Sequence, residues 1–175
     1  MIRVTEILEE GGVVDSTWFS GSSANRGIEV HCMCALDDAG TLDEFMVDDE
    51  LAGYLKSWRL LKNHLELEIL EIEREVVHEP FQYVGHLDRI VRFNGSNDIV
   101  VDIKSGGALP WHSLQCALYA MAWAQVTKSK TPERGCVYLK KNGSMASITM
   151  FCDPEDFIVA KAAITIANWK RKNRL

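Results

Sequence analysis

At 175 residues, 47% apolar and 25% charged, the chain has the size and composition of one compact globular domain, which excludes a disordered or fibrous protein. Its longest apolar run, Cys116 to Ala124, is about half the length a membrane span needs, and Met1 to Glu6 shows no basic stretch leading into an apolar one. No membrane association is therefore expected, and a cytoplasmic setting is. The net charge of −6 is uneven: residues 1–50 hold 12 acids against Arg3 and Arg26, and the remainder is net basic by +4, which leaves room for a polyanionic partner.

In chain order, residues 4–10 read as a short helix stopped by Gly11-Gly12. Residues 23–36 form a second helix with Ser22 or Ser23 as cap, followed by an acidic loop over 37–50. A third helix, 50–65, carries Leu51, Tyr54, Leu55, Trp58 and Leu61 as one apolar stripe. Residues 70–77 alternate Glu71, Glu73 and Glu75 with Leu70, Ile72 and Val76, Arg74 being the exception, and predict a strand. Residues 83–93 and 98–104 form a hairpin across Asn94-Gly95-Ser96-Asn97, because Asn and Gly tolerate the positive φ such turns need. Pro110 opens a helix running to 127, where its missing N–H costs nothing. A second hairpin joins 134–139 to 145–151 across Asn142-Gly143, and 154–172 is a last helix. Lys170, Arg171, Lys172 and Arg174 at its end are either a nucleic-acid contact or cations suited to the helix dipole. The order α-α-α-β-β-β-α-β-β-α predicts an α/β fold, a central mixed sheet flanked by helices, as a single domain over 1–175. The five cysteines contain no C-x-x-C pair and are expected as small buried hydrophobes, with no disulfide framework, zinc ribbon or iron–sulfur cluster.

The chemistry concentrates in the first hairpin. Alternation assigns Leu87, Val91, Phe93, Ile99, Val101 and Ile103 to a core face, and Asp88, Asp102 and Lys104 to the other. If Phe93 pairs with Asn97, Asp88 sits opposite Asp102, and two carboxylates that close need a cation between them. Lys104 supplies one charge, and a divalent ion such as Mg²⁺, which prefers carboxylate oxygen, supplies the rest. A salt-bridge ladder on a half-exposed sheet is the bland alternative.

Gly85-x-x-Asp88 followed by Asp102-x-Lys104 resembles the signature of the PD-(D/E)XK nuclease superfamily. Gln115-Cys116-Ala117-Leu118-Tyr119 is similar to the Q-x-x-x-Y motif of its RecB-like branch, and Arg26-Gly27-Ile28-Glu29-Val30-His31 resembles that branch's helical histidine motif. Val4-Thr5-Glu6-Ile7-Leu8 and Pro110-Trp111-His112 resemble segments of small phage-encoded exonucleases. The resemblance implies a restriction-endonuclease-like fold and a metal-dependent deoxyribonuclease, expected as an exonuclease in recombination, repair or phage DNA processing. An inactive DNA-binding or assembly module is the alternative.

By the same resemblance, His31, Asp88, Asp102 and the carbonyl of Ile103 bind one or two Mg²⁺ or Mn²⁺ ions, imidazole favouring the softer Mn²⁺. Lys104 orients or deprotonates the attacking water, and cleavage leaves a 5′-phosphate and a 3′-hydroxyl. Glu73 matches an acidic position near the metals, although a solvated strand edge shared with Glu71 and Glu75 also explains it. Gln115 and Tyr119, i and i+4 on one helix face, reach the lysine or a DNA phosphate, or are simply a polar edge with a core tyrosine. Trp111 and His112 stack on a base or seat their helix on the sheet, and Arg26 is a candidate DNA contact. Gly27, one turn before His31, leaves room beside a histidine that would otherwise read as buried on an apolar helix. DNA is the expected partner; unwinding would need a separate helicase or recombination protein, and the resemblance leaves oligomerisation open.

Overall fold

A computed structural model of the protein describes residues 1–15 and 21–174; the side chains of Ser22 and Ser23, expected as helix caps, lie outside the described residues. The elements are β1 (Ile2–Arg3), α1 (Val4–Glu10), α2 (Gly21–Asp38), α3 (Asp49–Leu65), β2 (Glu68–His78), β3 (Tyr83–Arg92), β4 (Ile99–Lys104), α4 (His112–Thr127), β5 (Glu133–Tyr138), β6 (Ser147–Met150) and α5 (Glu155–Asn173). All six strands join one sheet, with β3 at its branch point. β2 runs antiparallel along one edge of β3. The other edge is shared end to end: β1 pairs in parallel with Tyr83 and Val84, and β4 pairs antiparallel with Arg89, Ile90 and Val91. Among the described residues, the stretch of β3 from Gly85 to Asp88 thus has no strand on that edge, and the candidate site lies there.

Helices cover both faces, as the fold class requires. Ile7, Leu8, Leu114, Leu118, Trp123 and Ile164 of α1, α4 and α5 pack on one face, and Val30, Tyr54, Leu55, Trp58 and Leu61 of α2 and α3 pack on the other. At ~25 cal/mol per Å² of apolar surface, each of these large side chains contributes on the order of 2 kcal/mol. The Asn94-Gly95 turn forms as its residue types require, with φ of 51° and 71° and Ser96 N donating to Phe93 O. None of the described helices is long and apolar enough to cross a membrane.

Five expectations change. Cys32 and Cys152 are exposed, so only Cys34, Cys116 and Cys136 are the buried small hydrophobes expected of all five. The two-residue strand β1 is too short to carry an alternation signal. The helix expected from Pro110 starts at His112, Pro110 falling in the turn before it. The acidic loop over 37–50 is largely ordered: Asp37 and Asp38 close α2, Glu44–Met46 is a 3₁₀ turn, and Asp48 caps α3 by accepting from Glu50 N. Leu87 joins the α4 side with Ile90 and Val100, whereas Val91, Ile99, Val101 and Ile103 pack on the α2–α3 side, so one face does not hold them all. The alternation breaks because the strands are irregular at Asp88. The opposing residue, Glu73, has φ 49°, and the β2–β3 register shifts between Ile69 and Glu71.

Candidate active site

The register Arg89↔Val101 would next place Asp88 against Asp102, but the β3–β4 ladder stops there. The Asp88 carboxylate takes over the ladder's role, Oδ2 accepting from the Ile103 N–H at 2.6 Å. Asp88 and Asp102 are 5% and 2% exposed, so both charges need partners. Asp88 has His31 Nδ1 at 3.2 Å, brought in by α2. Asp102 has Lys104 Nζ at 2.7 Å and the Cys136 thiol at 3.7 Å.

The titration behaviour follows from that partition. Burial works against ionisation of Asp88, yet the charge and hydrogen bond of His31, with Lys104 and the Ile103 N–H, hold its carboxyl below the usual range. Burial dominates at Asp102 and the Asp88 charge adds to it, so this carboxyl is raised despite Lys104. His31 is penalised by burial, but Asp88 and Asp102 raise it to about 9. Lys104, also opposed by burial, is held protonated above its ordinary value by Asp102 and Asp88.

Lys104 is fixed from the other side by α4. Its Nζ donates to Gln115 Oε1 at 2.9 Å, and Gln115 Nε2 donates to the Tyr119 hydroxyl at 3.1 Å. The i, i+4 pair predicted from sequence is therefore one relay ending on the lysine. Both side chains are buried behind Lys104 rather than presented to solvent. Gly85 makes this possible: a Cβ there would lie 2.8 Å from the Tyr119 ring.

One donor from each of His31, Glu73 and Asp88 lies within 4.8 Å of the others. A divalent ion with oxygen and imidazole ligands at ~2.1 Å needs donors roughly that close, so this chain's residues fit such an ion. Glu73 is aimed there by Arg89 NH1 at 3.0 Å and by His86 Nε2 at 3.2 Å. Its left-handed backbone, rare outside glycine, brings its side chain out of the β2 alternation on which the sequence reading relied. Asp102 stands outside this triad, tied to Lys104.

A profile of the PD-(D/E)XK nuclease superfamily matches residues 33–172. The chain belongs to that superfamily. No curated protein matches it by sequence. A solved structure of a candidate exonuclease from Eubacterium rectale superposes with TM-score 0.56 at 10% identity, over 97% of this chain and 82% of its own. At that identity the likeness shows the fold. An alkaline exonuclease from Laribacter hongkongensis, LHK-Exo, aligns with TM-score 0.43 at 12% identity over 99% of this chain and 93% of its own.

In this nuclease-family chain the candidate site opens into a cavity of about 470 Å³ lined by Arg26, Gly27, His31, Lys104, Leu109 and Trp111 among others. Lys104 Nζ lies 5.6 Å from the centre of the Trp111 ring, and that ring meets His112 edge-on. His112 itself is buried, its Nδ1 3.0 Å from the Tyr138 hydroxyl, so it seats α4 on β5. Arg26 lines the cavity with its Nε buried and unpartnered among the described residues. A Cβ at Gly27 would meet nothing within 4 Å, so the room beside His31 does not depend on that glycine.

Arg89 and Asp38 were missed by the sequence reading. Arg89 Nε meets Asp38 Oδ2 at 2.6 Å, both side chains having no exposure, and Arg89 NH1 donates to the Asp88 carbonyl at 2.6 Å. Asp38 also accepts from Trp58 Nε1 at 2.9 Å and pairs with Lys62, so the acids expected on a surface loop lie inside an ionic cluster. The available signal was an arginine at a core-facing position of an apolar strand, and its partner lies 51 residues away.

Proposed function

We propose that this nuclease-family chain is a divalent-metal-dependent deoxyribonuclease acting at DNA ends, serving recombination, repair or phage DNA processing. The carrying observation is the convergence of Asp88, Asp102, Lys104 and His31 at the gap in the β3 edge, open to a cavity large enough for a nucleotide. His31, Glu73 and Asp88, with Asp102 and the Ile103 carbonyl nearby, would hold Mg²⁺ or Mn²⁺. Such an ion supplies Lewis acidity and neutralises charge at the scissile phosphate.

The protein's own residues do the rest. Asp88 holds one tip of β4 through the Ile103 N–H, keeping Asp102 and Lys104 in register with it. Asp102 and Gln115 fix the Lys104 ammonium from two sides. That charge, already protonated, orients the attacking water and stabilises the negative charge building on the phosphate oxygens, as a preorganised donor does best where water is scarce. Trp111 forms an apolar wall beside it for the departing nucleotide, and Arg26 offers a guanidinium to a neighbouring phosphate.

Incubation with linear duplex, closed circular duplex and single-stranded DNA, in Mg²⁺, Mn²⁺ or a chelator, tests this. Linear DNA should shorten from its ends to products bearing 5′-phosphates, only with metal, while closed circles survive. Cleavage of circles would replace end-directed action by internal cleavage, and no cleavage of any substrate would leave a DNA-binding or assembly module.

A further inference from the structure

The helix α5 turns Ala160, Ala163, Ile164 and Ala167 inward against α1 and α4. Its outward face should then be polar, as for any surface helix. Instead Ile158 (67% exposed), Ala162, Ile166 and Trp169 (57% exposed) follow one another at spacings of four, four and three, forming an apolar stripe about opposite the packed face. Large contiguous apolar surface of this kind marks a contact site.

The charges say what covers it. Asp153 and Glu155 stand at the start of α5, and Lys172 and Arg174 at its end, all exposed. A second α5 laid antiparallel brings the acidic start of each helix to the basic end of the other. One register matches both the large apolar ends and the charges: with Ile158 opposite Trp169 of the second copy, Ala162 falls opposite Thr165, Glu155 opposite Lys172 and Asp153 opposite Arg174, while Ile166 meets the aliphatic stem of Lys161. The small Ala162–Thr165 pairs at the centre let the helices approach closely. Because a two-fold axis repeats each contact, every pair occurs twice.

We infer that α5 is a homodimer interface, pairing antiparallel with α5 of a second copy in this register. None of the residues lining the cavity belongs to α5, so pairing leaves the candidate active site open. A contact built mainly from one helix per copy is at the small end of stable interfaces, and the dissociation constant should be about micromolar.

Sedimentation velocity across a concentration series reads this directly. The unaltered protein should pass from monomer to dimer, and Trp169→Glu should weaken association about a hundredfold or more, because it replaces both copies of the largest apolar contact by a charge facing Ile158. Glu155→Lys and Lys172→Glu should each weaken self-association about tenfold by placing like charges opposite each other twice. Mixed together, these two variants should associate again, because both charge pairs become attractive in the heterodimer. Circular dichroism checks that each variant is folded. A protein monomeric throughout the series, a dimer that survives Trp169→Glu, or variants that do not associate on mixing would each overturn the inference.

Discussion

Replacing Arg89 by methionine probes the cluster that aims the candidate metal ligands. The guanidinium has no exposed surface and joins three groups: Asp38 Oδ2 at 2.6 Å, Glu73 Oε1 at 3.0 Å and the Asp88 carbonyl at 2.6 Å. Removing one partner of a buried ion pair costs about 3–5 kcal/mol. Two features pull this case to the lower end. Asp38 keeps Trp58 Nε1 and Lys62, so it is not left bare, and Arg89 NH2 has no hydrogen-bond partner among the described residues. A loss of about 3 kcal/mol, at ~2–4 °C per kcal/mol for this length, lowers Tm by about 6–12 °C. Calorimetric titration of the same variant with Mn²⁺ should show affinity reduced about 10- to 100-fold, because Glu73 keeps His86 but loses the buried guanidinium that orients its other oxygen. Arg89→Lys, which can keep one carboxylate but not two, should fall between. A variant with Tm within about 1 °C of the parent and unaltered Mn²⁺ uptake would refute the assignment of Arg89 as the positioning residue.

Lys104→Ala should lower DNA cleavage by about a hundredfold or more while Mn²⁺ uptake stays measurable by calorimetry; full activity would remove Lys104 from the mechanism. Gly85→Ala places a Cβ 2.8 Å and 2.9 Å from Tyr119 ring carbons and 3.2 Å from Val4 Cγ2, so it should cost about 1–3 kcal/mol in urea unfolding. That cost should shrink in a Tyr119→Ala background; equal costs in both backgrounds would mean that the ring is not what Gly85 accommodates. His31, raised from 6.5 to about 9, binds a proton more tightly folded than unfolded. Its contribution to metal-free stability should be complete below pH 6.5 and disappear as pH rises through about 9, a loss absent from His31→Gln. Over the same window Mn²⁺ should bind more tightly as pH rises, since ligation requires the neutral ring; affinity independent of pH would exclude His31 as a ligand.

The features legible from the residues alone are those that depend on near neighbours along the chain. Turn chemistry at Asn94-Gly95 set a hairpin whose observed register, Arg89↔Val101, is the one that sets Asp88 toward Asp102. Helical spacing put Gln115 and Tyr119 on one face, where they form the relay to Lys104. The family motifs lay in segments that the helix and strand periods already delimited.

How Asp88 and Asp102 divide their partners, one taking His31 and a backbone N–H and the other Lys104, depends instead on the packing of distant segments. That packing also brought Cys116 and Cys136 within 3.6 Å of each other and buried Asp38 against Arg89. These contacts join residues far apart in sequence, and a buried charge advertises its need for a partner without saying which one meets it. The left-handed turn at Glu73 belongs to the same class: no local preference asks for it, and it persists because Arg89 and His86 hold the carboxylate on the far side of the strand's ordinary alternation.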